Sequence, residues 1–205
     1  MSEQISLFED EYLVLNAAVS ALAALDIDGA LTSLHRYRDI YHGNGRSEGL
    51  TKMALALQRG LSACGGTDNG DRPGRLFAFW RDFEKSPEAG QAACASLMPQ
   101  INRSFFSFLI RCCEAVGLPD SAFLDARIPV GYVHIQTGSY DRAIASLQAC
   151  IAAGGGSAAV YGYLTDAYFL RGDPATARQI YLEACLIDPC ALDWDHLRNS
   201  TRTSS

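Results

Sequence analysis

An all-α fold, with helical repeats in its C-terminal part, is what this sequence predicts, and three observations carry the prediction. Shifted by 34 residues onto itself, the stretch from Leu124 to Pro189 places Gly138 on Gly172, Ala143 on Ala177 and Leu147 on Tyr181. The same shift puts Val130 on Leu164, His134 on Tyr168 and Cys150 on Ala184. A fixed period near 34 with small and bulky apolar residues at matching offsets is how a helix–turn–helix array reads in sequence. Upstream, apolar residues recur at helical spacing: Leu13, Ala17, Ala21 and Leu25, then Leu50, Met53, Leu57 and Leu61. The punctuation is helical as well. Asp173-Pro174 offers a carboxylate to free backbone N–H groups and then a proline at the first helical position. Asp188-Pro189 marks a stop, because the residue before proline avoids the helical region.

In chain order, residues from about 7 to 25 read as an amphipathic helix, and Asp28-Gly29-Ala30 leads into a second carrying Leu31, Leu34 and Tyr41. Ala30 aligns with Ala143 and Ala177, and Leu34 with Leu147 and Tyr181, so residues 11–43 offer a degenerate third repeat in which Leu25 replaces the turn glycine. His42-Gly43-Asn44-Gly45 is a turn, and a third helix follows it. Cys64 to Gly74 is the longest breaker-rich stretch, expected as a mobile loop or a subdomain boundary. Leu76, Phe77, Phe79, Trp80 and Phe83 form a short aromatic helix, Pro87 starts another, and Pro99 interrupts the pattern. Ile101 to Val116 is apolar nearly all round, which predicts burial on every side. After Pro189, Ala191 to Asn199 reads as a short solvating helix anchored by Leu192 or Trp194 and by Leu197. Two repeats are too few to bury a continuous core, since arrays need about three plus caps. The expected organisation is therefore an irregular helical N-terminal region, 1–118, packed with two repeats and a solvating helix, 119–199, and a polar tail, 200–205.

The second copy resembles the tetratricopeptide repeat. The positions matching that family's motif carry Tyr161, Leu164, Tyr168, Gly172, Ala177, Tyr181, Ala184 and Pro189, while Thr165 departs from it where the family has Gly or Ala. The first copy matches through Val130, Gly131, Gly138, Tyr140, Ala143, Leu147 and Cys150. It lacks the closing proline and has Arg127 where the family places a bulky apolar residue. The resemblance covers about 66 of the 205 residues. It implies an α-α superhelix whose first helices line a concave groove, here Asp125, Ile128, Tyr132, Ile135 and Gln136, then Ala159, Gly162, Tyr163, Asp166, Phe169 and Leu170. The partner-binding residues expected from it are Tyr132, Ile135, Gln136, Tyr163, Asp166, Phe169 and Leu170. The lysine, arginine and asparagine clamp that some members use for a peptide's C-terminal carboxylate is absent. The implied function is a non-catalytic interaction module, an adaptor or scaffold for a protein or peptide partner. Within that class stands a secretion-type chaperone. The rival from another class is an enzyme or ligand sensor with a pocket in the Cys-rich, aromatic N-terminal region. The groove is covered either by an external partner or by the chain's own helices or a second subunit in a homo-oligomer.

Composition bounds the alternatives. Hydrophobic residues make up 48% and charged residues 20% of the chain, ordinary for a globular protein. The net charge of −6 is spread evenly, so no basic patch offers nucleic acid a footprint. No apolar run reaches the roughly 18 residues of a membrane span. Acidic residues without Lys or Arg precede the run beginning at Tyr12, the wrong charge for an export signal. No membrane partner is expected, and the protein is read as cytoplasmic.

No cofactor is expected either. Seven cysteines contain no C-x-x-C pair and read as small buried hydrophobes. Vicinal Cys112-Cys113 offers a redox or soft-metal pair, which a buried helix explains more simply. Asp68-Asn69-Gly70-Asp71 hints at a calcium loop but places Phe79 where the bidentate carboxylate belongs. Asp193, Asp195 and His196 fall on different faces of one helix. Gly154-Gly155-Gly156-Ser157 precedes a helix N-terminus without a P-loop lysine. The histidines show no H-x-x-x-H spacing, and His134 reads as a packing residue with a polar edge. With no nucleophile elbow or dinucleotide fingerprint, nothing points to catalysis or a metal.

Overall fold

The computed structural model describes residues 2–41, 45–65 and 70–192, without the side chains of 2–10, 45–46 and 92–93. The protein is all-helical, with ten α-helical segments and no strand among the described residues. An isolated bridge between Phe123 and Pro129 is the sole β-type pairing among them. The turn at 42–44, residues 68–69 of the acidic loop, the Asp193/Asp195/His196 cluster and most of the expected solvating helix and tail lie outside the described residues.

The chain forms two compact units, Met1–Phe105 and Phe106–Ser205. The division falls upstream of the expected boundary after 118. The first unit contains α1 (Ser2–Ala23), α2 (Ile27–Tyr41), α3 (Gly45–Ala63), α4 (Arg72–Glu84), the single turn α5 (Ala92–Ala95) and the start of α6 (Met98–Ala115). Helices α1 and α2 pack as a hairpin, α2 packs on α3, and α3 on α4 and α5. The aromatic helix forms the centre of this unit. Trp80 is fully buried and stacks on Phe105 with centroids 4.1 Å apart and planes 11° from parallel. Its indole N–H donates to Asn102 Oδ1 at 3.0 Å, the partner a buried indole needs.

The hairpin turn between α1 and α2 takes up the comparison with the repeats. Leu25 has φ 62°, while Gly138 and Gly172 have φ 79° and 96°. Three left-handed turn residues thus each precede, by five positions, a buried alanine: Ala30, Ala143 and Ala177. A leucine in that region is strained by about 1–2 kcal/mol, so the turn conformation at Leu25 is held by the packing around it.

The second unit continues α6 and adds α7 (Val130–Gln136), α8 (Tyr140–Cys150), α9 (Ala158–Arg171) and α10 (Pro174–Ile187), each packed on the next. Gly138 and Gly172 end α7 and α9 in the left-handed conformation that favours glycine. No atom lies within 4 Å of a Cβ built at Gly172. Its replacement by alanine therefore isolates the backbone term. We expect Gly172→Ala to lower stability by about 1–2 kcal/mol, read as a displaced urea midpoint; an unchanged midpoint would mean the turn relaxes freely.

At Gly131 the constraint is close contact. A Cβ there would stand 2.5 Å from Leu147 Cγ and 3.2 Å from the Ala143 carbonyl, so α7 and α8 approach as closely as glycine allows. The second hairpin has Thr165 at the matching position, with its hydroxyl donating to the Tyr161 carbonyl at 3.0 Å. Leu147 is wholly buried, whereas its counterpart Tyr181 is 36% exposed.

Five local expectations need correction. The first helix of the first repeat does not begin near Leu124. It is shortened to Val130–Gln136, because Pro129 has no N–H and the residue before proline avoids the helical region. Asp125, expected on a helix face, instead closes a turn by accepting the Arg127 and Ile128 N–H groups at 2.8 and 3.0 Å. Pro87 starts no helix of length; turns follow it, and α5 is four residues long. Pro99 sits in the first turn of α6, where a missing N–H costs nothing, and so begins a helix rather than interrupting one. Helix α6 is not buried all round. Ile101, Phe105, Leu109 and Cys112 form its buried stripe, while Arg103, Arg111 and Glu114 are exposed.

Candidate functional site

Of the seven residues expected to bind a partner, five are buried: Tyr132, Ile135, Gln136, Tyr163 and Asp166. Tyr132 and Tyr163, on the first helices of the two repeats, face each other with ring centroids 5.2 Å apart. Phe106, from α6, meets Tyr132 edge-on at 6.0 Å and 81°. Within the second unit these aromatic side chains therefore pack on one another and are buried. Only Phe169, 45% exposed, and Leu170, half-buried, reach the surface among the seven. Repeat periodicity assigns these residues to one helix face. It carries no information on whether another part of the chain lies against it.

Within the second unit the most exposed large apolar residues lie instead on α10. Leu182 is 63% and Leu186 86% exposed, one helical turn apart, with Ile187 50% exposed at the helix end. The opposite face of α10 buries Ala177 and Ala184 against α9. The helix is well specified at both ends. Asp173 accepts the Thr176 N–H at 3.1 Å, and these hydrogen bonds hold its carboxyl below the usual range. Asp188 caps the short 3-10 turn Pro189–Ala191 by accepting the Cys190 N–H at 2.9 Å, and Leu192 beyond it is buried.

The sequence features weighed for chemistry are mostly structural. Cys64, Cys94, Cys112, Cys113 and Cys150 are buried and free; Cys185 is half-buried and Cys190 exposed. Burial, reinforced by Cys112 beside it, pushes the Cys113 thiol up to about 12, so it stays protonated and is a poor nucleophile. Trp80, Phe77, Phe83, Cys64 and Cys94, where the rival reading puts a ligand pocket, are core residues. Ser157 accepts the Val160 N–H at 3.4 Å and caps α9 itself, and Gly154 bends the π-helical turn Ile151–Gly155 ahead of it. Among the described residues no group of three or more His, Cys, Asp or Glu side chains could hold a metal ion, and no helix is long and apolar enough to cross a membrane.

One arrangement was not legible in the sequence. A cavity of about 230 Å³ opens in the second unit beside His134, with Glu114, Asp120 and Arg142 around it. These four residues come from α6, the following loop, α7 and α8, and no spacing rule connects them. His134 is 6% exposed and its Nδ1 has no hydrogen-bond partner. Burial lowers its pKa, opposed by the Asp120 carboxylate, with Arg142 adding to the fall and Glu114 opposing it. The pH consequence follows by linkage. Below about 6.5 the unfolded imidazole takes up a proton that the folded one refuses, so this contribution is complete above that pH and is lost as pH falls toward the lowered folded value. We expect the thermal midpoint to drop between pH 7 and 5, and the drop to be smaller in His134→Tyr, which copies Tyr168 of the next repeat. Equal pH profiles for the two proteins would show that the ring is not held neutral.

No protein-family model, no curated protein and no solved structure matches this chain.

Proposed function

We propose that the protein is a non-catalytic, tetratricopeptide-like interaction module that takes a partner's apolar helix on the outward face of α10. The observation that carries this reading is the pair Leu182 and Leu186, solvent-facing one turn apart. Exposed leucines flanked by Arg178 and Glu183 form the half-interface that an amphipathic helix with apolar residues at i and i+4 completes. The concave groove supports the reading less well, since a partner would have to displace Phe106 from Tyr132. In a membrane-free cell extract, a photo-reactive phenylalanine analogue at position 186 should capture one protein species, and Leu182→Asp should abolish that adduct while leaving the thermal midpoint unchanged. Polar substitution at two exposed positions changes stability by less than about 0.5 kcal/mol. A fall of several degrees in Leu182→Asp would mean that the chain covers this face itself, and capture of a second copy alone would make it a homo-oligomer surface.

A further inference from the structure

We infer, on the reading that the outward face of α10 is a docking surface, that its occupant is α10 of a second copy, laid parallel to the first about a two-fold axis. A face completed by an amphipathic helix with apolar residues at i and i+4 is met by α10 itself, which carries Leu182 and Leu186 at that spacing. Written as a heptad, Ala175 and Leu182 take position d, and Gln179 and Leu186 take position a. All four are exposed. Ala177 and Ala184 fall at f, the position farthest from such a seam, and they are the residues buried on α10, which packs on α9. The hairpin therefore leaves the a and d side open to a second helix, with α9 behind.

Charge selects the partner and its direction. Arg178 falls at g and Glu183 at e, both exposed, on the two flanks of the leucines. Five residues apart, they cannot pair along their own helix, where neighbours lie three or four apart. Two parallel copies set g of one helix beside e of the other five residues on, so Arg178 of each copy meets Glu183 of the other. An antiparallel pair would instead set arginine on arginine and glutamate on glutamate. The face is thus complementary to itself in one orientation, supplying both the apolar pair and the charge pair that it needs. Gln179, the polar residue in the seam, fixes the register at a cost in stability. Helix α10 has 14 residues, two heptads, which is shorter than the three or four of a sustained coiled coil, so the association is weak.

Sedimentation equilibrium of the full chain, from about 5 μM to 1 mM, tests this pairing. The wild type should pass from monomer to dimer with a dissociation constant of about 10–100 μM. Leu182→Asp should remain monomeric with its helical circular dichroism intact. Arg178→Glu and Glu183→Arg each turn two attractions into two repulsions, and each should weaken the dimer about tenfold at low salt. The double variant R178E/E183R, which exchanges the charges, should restore it. In an antiparallel pair like charges face each other in all four proteins, so a dimer indifferent to these exchanges overturns the proposal. A dimer that survives Leu182→Asp lies elsewhere on the surface and overturns it too. So does a wild type that stays monomeric throughout. In that case a foreign protein captured at position 186 would keep α10 as a docking surface, and the lack of any adduct would remove that reading as well.

Discussion

Replacing Trp80 by alanine should destabilise the first unit by about 3–5 kcal/mol, the range for deleting a large aromatic from a packed core. Trp80 fills the space between α4 and the start of α6, where Phe105 stacks on it and Asn102 receives its N–H. Its removal forfeits the buried surface, leaves Phe105 facing a void, and strips Asn102 Oδ1 of its donor. Relaxation of the neighbours is limited, because Leu76, Phe77 and Ile101 are themselves fully packed. Amide hydrogen exchange should register the loss as reduced protection along α3, α4 and the first turns of α6. As a yardstick, Leu55→Ala, at a position 40% exposed, should stay within about 1 kcal/mol. Comparable effects at the two positions would mean that the aromatic cluster is not the core.

The second large effect is expected at Ala177. This residue is buried on α10 where it crosses α9, five positions after the left-handed Gly172. A methyl is all the crossing admits. Ala177→Arg would force a long side chain into it, at about 1–3 kcal/mol for overpacking alone. Desolvating a guanidinium without a partner adds several kcal/mol more. The sum equals much of the 5–15 kcal/mol that holds a domain together, so the α9–α10 hairpin should unfold. The signal is a loss of helical circular dichroism at 25 °C together with rapid exchange from 158 to 187. Ala177→Ser, similar in volume, should retain the helix signal. A thermal midpoint unchanged in Ala177→Arg would show that the two helices do not pack as described.

Much of this protein was readable because its code is local. Helix periodicity, the Asp173-Pro174 start and the Asp188-Pro189 stop act within about one turn of chain, and the left-handed glycines at 138 and 172 reflect a constraint on single residues. Such signals also indicated the hairpin at Leu25, although it needed the structure to show that leucine adopts the glycine conformation there. Pro129 was an equally local sign that α7 is short, and it was outweighed by the repeat register. The candidate sites were legible only in part. Tyr132, Tyr163 and Asp166 were expected to line a groove, yet nothing near them in sequence tells that they are buried or that Phe106 lies against Tyr132. Leu182 and Leu186 look like any apolar pair until their burial is known. The cavity at His134 joins Glu114, Asp120 and Arg142 from separate elements, and such a meeting is set by packing between elements. Periodicity, caps and turn residues therefore determined the helices and their pairing into hairpins. Which apolar faces were covered, and where a polar cavity opened, was decided by contacts between residues distant along the chain, which no local rule encodes.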